Sequence, residues 1–229
     1  LRKAALVTGG AKRIGRAIAL FLAGRGYDIA LHYNTSEREA EDTARSVRAH
    51  GVECRLFRAD LSDKRQVRQL MPKVVKKFPT LRLLVNNAAV FRKATLPETD
   101  DRLFDCEFDV NFRAPALLTR DFGKFARRGT VINILDTKIA EDKVGYFAYT
   151  LSKKALAEYT RMAGNAMAPL VKVYGIAPGL ILPPEGKAAG YLRGISEKTG
   201  RPLGSLIEVT SIVGRVIDGD FKPGEIVFT

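Results

Sequence analysis

Thr8-Gly9-Gly10-Ala11-Lys12-Arg13-Ile14-Gly15 is the stretch on which the fold turns. It follows an apolar run, Ala4–Thr8, and leads into a segment where Ile14, Ile18 and Leu22, with Ala17 and Phe21, recur at helical spacing. Glycines between a strand and a helix let the backbone turn tightly and approach a phosphate closely. The helix that opens there offers free N–H groups and the positive end of its dipole. An ordinary glycine turn needing φ > 0 would look similar. Placed after the first strand, the pattern predicts a dinucleotide site with Gly9, Lys12, Arg13, Ile14 and Gly15 at the phosphates.

Six further apolar runs follow: Asp28–Tyr33, Cys54–Ala59, Leu81–Asn86, Thr130–Leu135, Val171–Ile176 and Glu225–Phe228. Most are continuous rather than alternating, the mark of strands covered on both faces, so a parallel sheet flanked by helices is expected. Ser36 followed by Glu39 reads as a capping box for the second helix. Neither a linker nor a repeat interrupts the pattern, so residues 1–229 read as one nucleotide-binding domain. Proline and glycine gather between Pro178 and Gly204, and an insertion at about 183–203 is expected beyond the sixth strand, either a lid over the substrate or a plain surface loop.

The second strand bears on the choice of cofactor. A site for NAD usually places an acid at its end to bind the ribose hydroxyls. Here it ends His32-Tyr33-Asn34-Thr35-Ser36, with Lys12 and Arg13 in the nearby turn. Cations and hydroxyls suit a 2′-phosphate, so NADPH/NADP+ is expected, with His32 alternatively a plain polar strand end.

Tyr149 and Lys153 stand four apart in the amphipathic run Gly145–Ala168 and project from one helix face. A tyrosine is a poor acid–base group near neutral pH, and a neighbouring ammonium is expected to lower its pKa. One strand–helix unit earlier comes Asn86-Asn87-Ala88-Ala89.

The order of these motifs resembles the short-chain dehydrogenase/reductase family over nearly the whole chain. Thr8–Gly15 is similar to its glycine motif, Asp60-Leu61 to its adenine-contacting pair, and Asn86–Ala89 to its Asn-Asn-Ala-Gly motif, with Asn87 and Ala88 beside the cofactor. Asn111, Tyr149 and Lys153 match three members of its catalytic tetrad, and Pro178-Gly179 matches the turn after the sixth strand. The resemblance implies a Rossmann-like, doubly wound seven-stranded parallel sheet, hydride transfer from a nicotinamide held in part by Tyr149 and Lys153, and a homotetramer.

Two departures sharpen it. Arg13 replaces the middle glycine, and Asp136, thirteen residues before Tyr149, replaces the catalytic serine. Both resemble the pteridine reductases, including dihydromonapterin reductases, as do His32-Tyr33, Phe91 and Tyr146. That subgroup implies a substrate site of Arg13, Phe91, Asp136, Tyr146, Tyr149 and Leu180, with the aromatic ring stacked on the pterin and the Asp and Tyr bracketing it for protonation. A carboxylate can accept hydrogen bonds from the N–C–N edge of a pterin, whereas a ketone calls for a donor. Ala89 and Thr35 depart from the subgroup, which often has a hydroxyl residue and an arginine there.

Other readings stay open: a reductase of small carbonyl compounds, an enoyl-thioester reductase suggested by the Tyr146 to Lys153 spacing, and a non-catalytic nucleotide binder. The net charge of +13 invites nucleic acid, but the basic residues are scattered, so a small-molecule partner rather than nucleic acid is expected. No apolar run reaches membrane-spanning length, Cys54 and Cys106 make no disulfide framework, and there is no signal-peptide pattern, so a cytoplasmic setting without membrane contact or metal is expected. The chain opens on Leu1 and stops at Thr229 without the Asp-Gly-Gly that follows the family's last strand, so trimmed termini are expected.

Overall fold

The computed structural model describes residues 1–142, 145–183, 190–200 and 202–229. The seven apolar runs become strands β1 (Ala4–Val7), β2 (Asp28–Tyr33), β3 (Cys54–Arg58), β4 (Leu81–Asn86), β5 (Gly129–Ile134), β6 (Val171–Ala177) and β7 (Ile226–Phe228). Between them run α1 (Arg13–Gly24), α2 (Glu37–Arg48), α3 (Lys64–Lys77), α4 (Asp101–Phe108), α5 (Ala114–Phe125), α6 (Phe147–Met167), α7 (Tyr191–Thr199) and α8 (Leu206–Asp218). A π-helical turn, Asp109–Arg113, joins α4 to α5, and a short 3-10 turn, Thr137–Ala140, follows β5. Among the described residues no helix is long and apolar enough to cross a membrane.

The strands form one seven-stranded sheet in the order β3-β2-β1-β4-β5-β6-β7, all parallel. Side chains alternate between faces along each strand, and both faces are apolar. Ala5, Val7, Leu83, Val85, Ile132 and Ile134 pack beneath α1, α2 and α8. Ala4, Leu6, Leu84, Val131 and Val173 pack against α3, α5 and α6. This is why the strand sequences run continuously apolar.

β1 lies between β2 and β4, so the connections leaving its two sides part in opposite directions and open a crevice at the carboxyl ends. A clasp spans that crevice. The Thr8 hydroxyl accepts the N–H groups of Asn87 at 2.9 Å and Ala88 at 3.1 Å, and donates to the Val85 carbonyl at 3.2 Å. The Asn87 amide donates to the carbonyls of Thr8 at 2.9 Å and Gly9 at 3.1 Å.

Two local details differ from the sequence reading. Ser36 is the N-cap of α2, but its side chain makes no capping bond. Its ψ of 61° departs from the extended value that aims a cap hydroxyl at the third N–H. The reciprocal capping box occurs instead at Ser205 and Glu208 of α8. The stretch expected as an insertion at 183–203 carries α7, and its base is closed by a bridge between Leu180 and Leu203 and by Gly204 N–H donating to the Leu180 carbonyl at 3.1 Å. Residues 184–189 and 201 of that stretch lie outside the described ones.

Gly15 is where the clasp and α1 come closest. A Cβ there would lie 2.1 Å from the Gly9 carbonyl oxygen and 2.5 Å from the Asn87 amide nitrogen. Gly15→Ala is therefore expected to cost about 2 kcal/mol or more in urea unfolding, because backbone must move. Gly10→Ala, whose Cβ would meet the side chain of Leu31 at 3.0 Å, is expected to cost less.

Candidate active site

The glycine turn is built for close approach. Gly9 has φ +60°, and a Cβ there would lie 2.9 Å from Ala88 Cα. Arg13 adopts φ 57° without being glycine, at a cost of about 1–2 kcal/mol. Its guanidinium reaches across the crevice and donates to the carbonyls of Leu182 at 3.4 Å and Pro183 at 2.8 Å. Ile14 and Gly15 start α1, whose first N–H groups have no partner within the helix. A cradle that only glycine fits, beside a helix N-terminus, suits a pyrophosphate.

The expectation that His32 would meet the cofactor is corrected by its surroundings. The ring is buried, Nδ1 accepts the Gly9 N–H at 3.1 Å, and Nε2 lies 3.0 Å from the Ala59 carbonyl. Since Gly9 can only donate, the ring proton sits on Nε2, and neither nitrogen is left for a phosphate. Burial lowers the His32 pKa from 6.5 to about 4, so the ring is a neutral strut between β2, β3 and the turn. Tyr33 is also buried, its hydroxyl donating to Glu37 at 3.3 Å. Asn34 and Thr35 are exposed and Ser36 half-buried at the mouth of β2, and Lys12 caps α1 nearby. Asp60 turns the chain after β3, accepting from the Ser62 N–H and hydroxyl at 2.9 and 2.7 Å, with Leu61 buried beside it.

The candidate residues Asp136, Tyr149 and Lys153 gather where β5 and α6 meet. Tyr149, buried on α6, donates its hydroxyl to Asp136 Oδ2 at 2.9 Å. Asp136 Oδ1 caps the 3-10 turn through the Lys138 N–H at 2.8 Å, while the Lys138 ammonium lies 3.5 Å from Oδ2. Asp136 therefore both caps a turn and faces the phenol. One helical turn on, buried Lys153 donates to the Ile134 carbonyl at 2.7 Å. The turn Pro178-Gly179 lies alongside, Thr137 N–H donating to the Pro178 carbonyl at 3.1 Å.

Electrostatics reverse one expectation. Tyr149 is not pulled toward phenolate. Burial first, then the Asp136 carboxylate, raise its pKa well above 10. Lys153 is pushed by burial from 10.5 to about 8, against the opposing pull of Asp136 and Glu107. The sequence shows the ammonium near the phenol, but not how completely both leave water.

Beside the phenol, the Phe91 ring lies parallel to Tyr146, centroids 4.3 Å apart, and edge-on to Tyr149 at 4.6 Å. The Lys138 ammonium lies 5.3 Å from the Phe91 centroid and 5.9 Å from that of Tyr146. Phe91, Tyr146, Asp136 and Tyr149 thus come together as expected from the sequence. Leu180 sits at the base of the segment after β6, nearly buried. Asn111 lies within the π-helical turn, wholly buried; it grips Val90, donating to its carbonyl at 3.0 Å and accepting its N–H at 2.9 Å.

Two residues of this region escape a sequence reading. Lys138 stands only two positions after Asp136, and that spacing could have drawn it in. Glu107, one helical turn before Asn111, accepts its amide N–H at 2.7 Å. The i, i+4 rule could have linked them, but nothing local signals that the carboxyl is buried.

The short chain dehydrogenase profile matches residues 3–189. A FolM alternative dihydrofolate reductase 1 of Brucella canis, solved with NADP, is 34% identical, superposes with a TM-score of 0.89, and the match covers 99% of this chain and 91% of that one. The 3-oxoacyl-[acyl-carrier-protein] reductase FabG of Staphylococcus aureus is 31% identical over 192 residues, 80% of this chain and 76% of its own length. The acetoin dehydrogenase YohF of Salmonella typhimurium is 26% identical with a TM-score of 0.87, covering 100% and 94% of the two chains.

The strut role of His32 has a signature in pH. Its folded pKa of about 4 lies below the ordinary 6.5, so between these values the unfolded chain binds the extra proton. Stability from this group is complete above pH 6.5 and is lost as pH falls toward 4, by roughly 3 kcal/mol. His32→Gln, which cannot take up that proton, is expected to show a flatter stability–pH slope across this window in urea titrations. Equal slopes for the two proteins would refute the assignment.

Proposed function

The chain belongs to the short-chain dehydrogenase/reductase family of NAD(P)-dependent oxidoreductases, and from that footing we propose that it is an NADPH-dependent pteridine reductase acting on a dihydropterin or dihydrofolate. The observation that carries this reading is the Tyr149–Asp136 hydrogen bond at 2.9 Å, a carboxylate where the family has a serine, with the Phe91 ring packed edge-on to that phenol. The likeness to an alternative dihydrofolate reductase solved with NADP supports it.

The Gly9–Gly15 turn and the start of α1 would hold the pyrophosphate. Asp60-Leu61 would meet the adenine, and Asn87, Ala88, Pro178 and Gly179 the nicotinamide half. Lys12 with Asn34, Thr35 and Ser36 would take the 2′-phosphate. The carboxylate of Glu37, engaged by the Tyr33 hydroxyl, would favour ribose hydroxyls instead. When bound, a reduced nicotinamide supplies a hydride.

The chain's own residues supply the rest. Reducing a C=N bond places hydride on carbon and a proton on nitrogen. Tyr149 is held as the neutral phenol at neutral pH, which suits a proton donor. Asp136 holds that hydroxyl and can accept from N–H groups of a pterin edge. Lys153 carries its charge below about pH 8 and sits where it can hold ribose hydroxyls. Phe91, stacked on Tyr146 at 4.3 Å, would offer its ring as part of an aromatic wall for a flat heterocycle.

A second reading, reduction of a small carbonyl compound, draws on the FabG and acetoin dehydrogenase likenesses. It meets an acceptor at Asp136 where a carbonyl oxygen needs a donor.

Spectrophotometry decides between them. NADPH oxidation is expected with dihydrobiopterin, dihydromonapterin or dihydrofolate and not with simple ketones, and NADPH is expected to bind more tightly than NADH by calorimetry. Asp136→Ser is expected to lose pterin turnover, and retained pterin turnover there would remove the role given to the carboxylate. Tyr149→Phe is expected to cut turnover by about 10²–10⁴ while NADPH binding persists; undiminished turnover would remove Tyr149 as the acid.

A further inference from the structure

Glu107 has no part in the chemistry above, yet its side chain is completely buried behind the site. One carboxyl oxygen accepts the Arg92 N–H at 2.9 Å, and the other accepts the Asn111 amide at 2.7 Å. Asn111 in turn holds both backbone groups of Val90. The chain on either side of Phe91 is therefore fixed to one acid–amide pair on successive turns of the α4–π segment. Phe91 needs such fixing. It is 42% exposed and lies in a stretch without regular secondary structure, so the backbone beneath the ring must be held by side chains for its contacts with Tyr146 and Tyr149 to persist. The Arg92 N–H is a backbone donor that must be met, and the Asn111 amide, which also reaches the Val90 carbonyl at 3.0 Å and the Ser152 hydroxyl at 3.2 Å, makes its shortest bond to Glu107. Burying a carboxyl is unfavourable in itself, and here it raises the pKa of Glu107. The two hydrogen bonds, and the charges of Arg92 and Lys153, offset part of that penalty.

We propose that Glu107 is a positioning residue for substrate: through the Arg92 N–H and Asn111 it sets the place and tilt of the Phe91 ring against which a flat heterocycle lies. This deepens the reductase reading and rests on it for the nature of the heterocycle. Glu107 touches no reacting atom. Its effect should fall on substrate binding and should pass through Phe91.

The test is a double-mutant cycle of Glu107→Gln with Phe91→Ala, read by kinetics and by near-ultraviolet circular dichroism. Glutamine keeps the shape and one acceptor but turns an NH2 group onto the second donor. Glu107→Leu, which removes both acceptors, is the severe variant. Glu107→Gln is expected to raise the KM for the best dihydropterin roughly tenfold, with kcat changed by no more than about twofold and NADPH affinity unchanged. In the Phe91→Ala background the same change is expected to add nothing. An unchanged KM, or effects that add fully, would overturn the proposal. The chain has no tryptophan and seven tyrosines, so its near-ultraviolet dichroism is dominated by tyrosine and senses the packing of Tyr146 and Tyr149 on Phe91. Glu107→Gln is expected to lose the band that Phe91→Ala loses, and an intact band would overturn the proposal without any substrate. A lost band in a protein that turns over no pterin would leave Glu107 in its place and overturn the pterin reading alone.

Discussion

The clasp between Thr8 and Asn87 is the constraint on which the site rests. At the crevice between β1 and β4 two backbone segments must lie close while their onward connections diverge. Their polar groups would be left unpaired at the sheet end were it not for a hydroxyl that accepts two N–H groups and donates to a carbonyl. A second polar chain continues the tie below α6. The Asn86 amide donates to Asn133 at 2.8 Å, and Asn133 donates to the Thr160 hydroxyl at 2.9 Å, joining β4, β5 and α6 inside the core. The glycine turn on the β1–α1 unit and the carboxylate and phenol on the β5–α6 unit are thereby held to one frame. Such a frame suits chemistry that depends on fixed distances.

Within that frame the ionisable groups are driven apart by their surroundings. Tyr149 is buried beside a carboxylate and stays a phenol; Lys153 is buried beneath it, and its affinity for a proton weakens. Which proton each of the two groups holds is set mainly by desolvation rather than by residue type. The same logic governs His32, where burial makes a titratable ring into a neutral spacer. Lys138 on the 3-10 turn and Arg13 at the start of α1 add further charge near the site.

Much of this was legible in the sequence. Continuous apolar runs gave away the two-sided sheet, the glycine turn and the Tyr149–Lys153 pair stood out by pattern and spacing, and Asn87 and Asp136 were marked by resemblance to a family's motifs. The remainder depends on contacts far apart in sequence. Whether Lys153 or Asp136 governs the pKa of Tyr149 depends on burial, which spacing cannot show. His32 reads as a cofactor contact or a plain polar strand end until Gly9 and Ala59 are seen on either side of its ring. Ser36 and Glu39 have the right spacing for a capping box, but the backbone at Ser36 does not aim the hydroxyl. Glu107 looks like any polar residue of an amphipathic helix, and only the fold brings Arg92 to it.

The π-helical turn at Asp109–Arg113 gives the α4–α5 rod two masters. Before and within it, Glu107 and Asn111 serve the loop that carries Phe91; beyond it, Ala114, Leu118 and Phe122 serve the sheet. Each residue of an α-helix advances about 100° around the axis, and a π turn holds one residue more than an α turn. Removing that surplus residue would rotate one half of the rod by about a quarter-turn against the other, so either the amide or the apolar ridge would swing away from its client. The rod can therefore exchange many outward-facing side chains, but its residue count is locked, like a gear whose teeth can be re-cut but never reduced in number.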